Sequence, residues 1–189
     1  GCAVDGVEIR VVDDARHEVP HGQEGEEASR GPQVFVGYWG EPEMTARALD
    51  ADGWYYSGDY CRTDSEGRYI RITGRKKDII VRGGENISSR EVEDIVLEYP
   101  GVREAAVVAM PDERLGERSC ACVSMRPGAP ALHLTDLVAF FDGRRVAKYK
   151  FPEYLVVLDA LPRTSSGKLQ KFALARMVRE RVAAGQPSD

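Results

Sequence analysis

The run "IIVRGGENISSREVEDIVL" at 79–97 leaves little choice of local structure. Within "IIVRGGENIS" (79–88) an apolar run leads into Gly83-Gly84, and glycine's conformational freedom suits a tight turn with close backbone approach before a short second strand. The spacing therefore predicts strand, turn, strand. Ser-Ser-Arg-Glu follows, with Ser88 placed as an N-cap and Glu91 three residues on, the pattern of a capping box. Val92, Ile95, Val96 and Tyr99 then recur at i, i+3, i+4 and i+7, the stripe of an amphipathic helix. Pro100-Gly101 stops it. This succession, packed into so few residues, predicts a small sheet covered by helices, an α+β arrangement.

The remainder of the chain sorts around that stretch. Downstream, "VREAAVVAM" (102–110) and "SCACVSM" (119–125) read as strands around a loop at 111–118. Thr135 is expected to cap a second helix that turns Leu137, Val138, Phe140 and Phe141 inward. "EYLVVL" (153–158) reads as a third strand, and 169–182 as a last helix burying Leu169, Phe172 and Met177. Upstream the pattern is mostly β: strands at 7–12 and 32–39 separated by a polar turn region at 13–26, then a short helix at 42–49 opening on Pro42. Strands at 54–64 and 68–73 follow, joined by a hairpin at 65–67. The boundary between the two patterns falls at Gly74–Asp78. The expected organisation is a β-rich region at 1–73, a hinge at 74–77, an α+β domain at 78–183 and a loose tail at 184–189.

Composition narrows the class. The 189 residues suffice for one ordinary domain or two small ones. A net charge of −5 argues against nucleic acid as a partner, and no apolar run approaches the roughly 18 residues of a membrane span. The start shows neither a secretory leader nor an initiating Met, so a fragment or a processed chain is expected. The four cysteines form no CxxC, and no Cys/His ligand spacing occurs, so no metal site is expected and a reduced, cytoplasmic setting is. Cys120 and Cys122 share one face of a strand. Ten basic residues lie between Arg144 and Arg181 against Glu153, Asp159 and Glu180. Such a basic end could face an anionic small molecule, but charge alone favours a solvated helix face.

Three polar clusters interrupt these patterns. In "YYSGDY" (55–60), Asp59 can accept two hydrogen bonds from a vicinal diol, or can cap a turn. "GRKKD" (74–78) has the composition of a hinge, or of a solvated linker. "PRTSSGK" (162–168) carries Lys168 on a flexible, hydroxyl-rich turn. It is not a phosphate-binding P-loop, because Pro162 replaces the first glycine and Leu169 follows the lysine. An ammonium on such a turn is well suited to meeting charge that appears only during a reaction.

Taken in order, "GYW…PE.T" (37–45), "GW.YSGD" (53–59), "GRKKDIIVRGGENIS..EVE" (74–93) and "P….GK" (162–168) resemble the acyl-adenylate-forming (AMP-binding) superfamily, and bacterial acyl-CoA synthetases above all. The resemblance implies that 1–73 is the end of a large adenylating domain. It implies that 78–183 is a small α+β lid, a three-stranded sheet with packed helices plus a two-stranded hairpin. By the same resemblance Asp59 holds the ribose hydroxyls of ATP, Arg75 its ribose and phosphate end, and Lys77 lies at the hinge. Gly83 and Gly84 line a pantetheine tunnel after the lid rotates, and Lys168 bridges the attacking carboxylate and the α-phosphate. Lys148, Tyr149 and Lys150 lie where relatives contact the CoA nucleotide, although ordinary surface basicity accounts for them equally.

The implied substrates are a carboxylic acid, ATP (with Mg2+) and CoA. The implied reaction forms an acyl-adenylate and then a thioester. A rival from the same superfamily loads an aryl or amino acid onto a carrier protein, and a rival from another class is a stand-alone, non-catalytic lid module. The phosphate loop, the adenine motif and the acid pocket are not in this sequence, so the chain alone is expected to be inactive without an N-terminal domain. Two departures stand out: Ser89 occupies a position where relatives carry Pro, and Arg145 one near which relatives end a helix with Gly. Lys168 is also, by resemblance, a candidate for regulatory acetylation.

Overall fold

The structure is a computed structural model and describes residues 1–183. The expected tail at 184–189 lies outside the described residues. Two units divide the chain, Gly1–Lys77 and the residues from Asp78 on.

The first unit is a four-stranded antiparallel sheet in the order β1-β2-β3-β4, with β1 Glu8–Val12, β2 Glu24–Arg30, β3 Tyr55–Thr63 and β4 Ile70–Arg75. Helix α1, Pro42–Ala48, starts on its proline, whose missing N–H costs nothing there. Val12, Ala28, Trp54 and Tyr56 make a small core. Two expectations fail here. β2 begins inside the stretch read as turn (13–26) and runs on through residues assigned to no element, and 32–39 is not a strand. Gly31 and Gly37 hold φ near +150, and Val36 and Trp39 are fully exposed. Phe35 instead meets Tyr38 and Tyr55 edge-on, at 4.9 and 5.3 Å between ring centres. β2 carries no β-branched residue and is fixed by its neighbours on both sides. Its Gly25 is required by them, since a Cβ there would sit 2.4 Å from the Val12 carbonyl oxygen.

The second unit is one five-stranded sheet. β5 Ile79–Arg82 and β6 Glu85–Ser88 form a hairpin, β7 Val102–Asp112 and β8 Gly116–Met125 form a longer one, and β9 Tyr154–Val157 runs parallel to β8. The two hairpins join through the pair Arg82 and Gly116, which merges the expected three-stranded sheet and hairpin. Gly83 and Gly84 both take positive φ, +57 and +91, as a two-residue hairpin turn requires.

Side chains alternate along β7 and β8, so the sheet is buried on both faces. Val107, Ala121, Val123 and Leu155 face one core together with Ile80, Ile87, Val92, Val96, Leu137 and Phe141. Ala106, Val108, Met110, Cys120, Cys122 and Val156 face another with Leu161, Leu174 and Val178. Helices α2 (Ser89–Leu97) and α3 (Leu134–Gly143) thus cover one face, and α4 (Lys171–Ala183) covers the other.

Helix details correct the sequence reading in three places. His133, not Thr135, is the N-cap of α3, and the Asp136 carboxylate accepts the His133 N–H at 3.1 Å. Val138 faces out. On α4 the buried pair is Leu174 and Val178, while Phe172 is 72% exposed and Met177 is only half-buried; Leu169, also half-buried, precedes the helix. Ser88 does cap α2, its hydroxyl accepting the Glu91 N–H. Helix α3 ends at Gly143, and Arg145 takes the left-handed φ of +56 that usually falls to glycine. Among the described residues no helix is long and apolar enough to cross a membrane.

Candidate functional site

The acidic candidate sits on a bulge. Glu26 pairs with Tyr60 and Ala28 with Tyr56, so β3 has three residues, Ser57 to Asp59, where β2 has one. Gly58 absorbs the excess at φ +73. Asp59 is thereby lifted out of the ladder with β2 while remaining opposite Arg75 in β4. Arg75 Nε lies 2.9 Å from Asp59 Oδ1. The contact is an ion pair without hydrogen-bond alignment, and Oδ1 remains a buried acceptor with no donor pointed at it. Such an oxygen, paired with a half-exposed guanidinium, can take a hydroxyl donor and a neighbouring anion.

The strand carrying Arg75 is anchored by residues that sequence reasoning passed over. Lys76 contacts Asp14 Oδ1 at 2.7 Å and Glu26 Oε2 at 3.0 Å, and Glu26 Oε1 accepts the Gly58 N–H at 2.9 Å. The Asp14 and Glu26 carboxylates push the Lys76 ammonium up to about 12. The cationic run is thus not uniformly solvated. Gly74 and Arg75 belong to β4, Lys76 is tied to Asp14 and Glu26, and Lys77 is exposed in a 3₁₀ turn, Lys76–Asp78, without an ion partner among the described residues.

In the second unit, "PRTSSGK" is a closed turn rather than a loose one. Arg163 and Leu169 bridge as in a hairpin. The Thr164 N–H donates to the Lys168 carbonyl at 2.8 Å, the Gly167 N–H to the Thr164 carbonyl at 2.9 Å, and the Lys168 N–H to Thr164 Oγ1 at 3.0 Å. Thr164 Oγ1 also shares a hydrogen bond with Ser166 Oγ at 2.9 Å. The hydroxyls that suggested flexibility in the sequence hold the backbone, because side-chain oxygens on such turns satisfy nearby N–H groups.

Lysine partners separate the candidates. Lys76, Lys150 and Lys171 are ion-paired, whereas Lys77, Lys148 and Lys168 have no ion pair among the described residues. Lys168 is exposed at the tip of its turn. In the 3₁₀ turn Lys148–Lys150, Lys150 is held by Glu91 Oε1 at 2.6 Å and Tyr149 packs against the apolar core. Of that trio only Lys148 is exposed. Gly83 and Gly84 are exposed at the hairpin tip; a Cβ on Gly83 would crowd Leu115 at 3.3 Å, and one on Gly84 would meet open space.

A further polar group binds the second unit together. The half-buried Lys171 on α4 donates to Ser89 Oγ at 2.9 Å and meets Glu93 Oε1 at 2.7 Å, with Asp78 at 3.7 Å. Glu93, almost fully buried, also accepts the Val107 N–H at 2.7 Å. The described residues gather no three His, Cys, Asp or Glu that would hold a metal ion.

The AMP-binding enzyme C-terminal domain family matches residues 91–168, which end on Lys168. The medium-chain fatty-acid–CoA ligase of Escherichia coli (strain K12) is 65% identical over 96% of this chain, which covers 32% of that protein. A salicylyl-CoA synthase / salicylate adenylyltransferase of a Streptomyces species is 45% identical over 91% of the chain, covering 31% of that protein. The chain therefore spans about a third of the length of these relatives. Among solved structures, ATP-bound MatB from Rhodopseudomonas palustris superimposes with a TM-score of 0.88 at 36% identity, over 95% of this chain and 35% of that one.

Proposed function

Residues 91–168 are an AMP-binding enzyme C-terminal domain, in a chain similar to acyl-CoA ligases over nearly its whole length, and from that premise we propose that the chain is the C-terminal part of an ATP-dependent carboxylic acid–CoA ligase. The observation that carries the reading is the 65% identity, along 96% of the chain, to a protein named as a fatty-acid–CoA ligase.

In the proposed reaction a carboxylate oxygen attacks the α-phosphorus of ATP, the bond to the β-phosphate oxygen breaks, and pyrophosphate leaves. The thiol of CoA then attacks the acyl carbonyl of the adenylate, its proton passes to solvent, and AMP departs. Lys168 serves the first step. Two anions must approach, and a single ammonium between them lowers their repulsion and stabilises charge at phosphorus. Its exposure and its lack of an ion partner among the described residues support this role, since a paired lysine would first have to be released. Asp59 Oδ1 receives a ribose hydroxyl, and Arg75 meets the ribose and phosphate end. Lys77 is the hinge residue on which the lid rotates. Gly83 and Gly84 then approach the pantetheine arm, and Lys148, with Tyr149 and Lys150 beside it, faces the CoA nucleotide.

The Mg2+ that accompanies ATP travels with its phosphates, and no step here runs through it. On this reading the phosphate loop and the acid pocket lie outside these 189 residues, and the purified chain alone should show no pyrophosphate exchange. We place the whole protein in the cytoplasm.

The test compares Lys168→Ala with wild type in the full-length protein. Acid-dependent exchange of pyrophosphate into ATP should fall at least ~100-fold, the scale of losing one transition-state donor. Thioester formation from supplied acyl-adenylate should persist. Equal loss of both half-reactions would refute the role given to Lys168. The salicylate adenylyltransferase among the relatives favours one second reading, transfer to a carrier protein. CoA-dependent release of AMP decides between the two acceptors.

A further inference from the structure

We propose that Arg163 is a positioning residue for Lys168: its guanidinium latches the lysine turn to β7, so that the ammonium is presented from a fixed backbone. The inference rests on the adenylation role proposed for Lys168. Arg163 is a fork with two holds. Nη1 donates to the Gly167 carbonyl at 2.7 Å, one residue before Lys168, and Nη2 donates to Glu104 Oε1. Glu104 is itself fixed, because its Oε2 accepts the hydroxyl of the fully buried Ser124 at 3.0 Å. Ser124 Oγ is also reached by Arg103 Nε at 3.3 Å, and Arg103 Nη2 binds the Asp159 carbonyl at 2.7 Å. The turn is thus tied to the middle of the sheet through a chain of three side chains.

The alternative is a turn held only by itself. Thr164 closes it internally, but none of the bonds made by Thr164 ties it to the sheet. Ser165, Ser166 and Gly167 are exposed and Gly167 sits at φ +82, so nothing buried holds the tip. Arg163 lies outside both cores and its side chain is 48% exposed, so its removal empties no packed volume. Its effect should fall on geometry at Lys168, where a misplacement of about 1 Å can cost roughly 100-fold in rate. Arginine is required because one planar group must serve a carbonyl and a carboxylate at once; lysine, a point charge, holds one of them.

The experiment uses the full-length protein with Arg163→Ala, Arg163→Lys and Glu104→Gln beside Lys168→Ala. Pyrophosphate exchange and thioester formation from supplied acyl-adenylate are measured separately. Arg163→Ala should lower the kcat of exchange by about 10- to 100-fold, leave KM for ATP near wild type, and leave thioester formation unchanged. Arg163→Lys and Glu104→Gln should show the same split at smaller size, and they decide the matter if the alanine variant does not fold. Wild-type exchange in the Arg163 and Glu104 variants, beside an inactive Lys168→Ala, overturns the latch. So does equal loss of both half-reactions, which marks a structural role, or a raised KM for ATP at unchanged kcat, which marks a ligand contact. Retained exchange in Lys168→Ala refutes the underlying reading instead.

Discussion

Replacing Glu93 tests how the second unit holds its two faces together. β7 pairs with β8 along one edge only, so its other edge presents N–H groups without strand partners. The Val107 N–H on that edge is covered by Glu93 of α2, and the same carboxylate oxygen meets Lys171 of α4. Since α2 and α4 lie on opposite faces, the two side chains clasp the sheet around its edge. Glu93→Ala leaves a buried N–H without an acceptor, a loss of about 1.5–3 kcal/mol for a bond to a charged group. It also strips Lys171 of its nearest carboxylate. Removing one partner from a buried pair costs roughly 3–5 kcal/mol, and the lower end applies because Lys171 retains a quarter of its exposure and still has Ser89. The two figures share one carboxylate, so about 3 kcal/mol in total is expected. Glu93→Gln keeps an acceptor for Val107 and should cost about half as much. Lys171→Met, which leaves the carboxylate on a single donor, should fall between them. Hydrogen exchange at the Val107 amide is the assay, because both tryptophans lie in the other unit and fluorescence is blind here. Exchange should accelerate on the order of 100-fold in Glu93→Ala. Unchanged protection in that variant would refute the clasp, and equal loss in Glu93→Gln would show that charge, not the hydrogen bond, is decisive.

Other expectations are simpler. Arg145→Gly should stabilise the second unit by about 0.5–1 kcal/mol, because the left-handed backbone at +56 is costly for arginine and free for glycine; a denaturant titration that shows destabilisation would contradict it. Alkylation of the folded chain at pH 8 should label Cys2 alone among the four thiols. Cys61 and Cys120 are fully buried, and burial pushes the Cys61 thiol up to about 11, so it stays protonated and unreactive until pH approaches that value. Mass spectrometry that finds two or more adducts before unfolding would refute that burial.

The sequence was most legible where one force acted alone. Gly83-Gly84, the Ser88 cap and the Val92/Val96 stripe are local devices, and each stands where its spacing placed it. β2 was illegible because Glu, Gly, Ala and Ser carry no strand preference, and only flanking strands impose the conformation. Helix α4 has apolar residues on more than one face, so periodicity chose Phe172 where packing chose Leu174 and Val178. The candidate residues themselves were legible from motifs, but their settings were not. The bulge under Asp59 needs β2, the Arg163 hold needs Glu104, 59 residues away, and the clasp joins Lys171 to Ser89 and Glu93 across more than 70 residues. No window along the chain contains such pairs.

The doubly buried sheet has a consequence for how this unit can diverge. The Gly83-Gly84 hairpin is rooted in one core through Ile80 and Ile87, and the Lys168 turn in the other through Leu161 and Leu169. A sheet one residue thick thus acts as a bulkhead between two compartments. Drift in the residues beneath either turn can be absorbed on its own side, leaving the other undisturbed. If the two turns serve successive half-reactions, acceptor preference and activation chemistry are separately adjustable within a single small unit. Val107 and the clasp around it mark the seam where that independence should end.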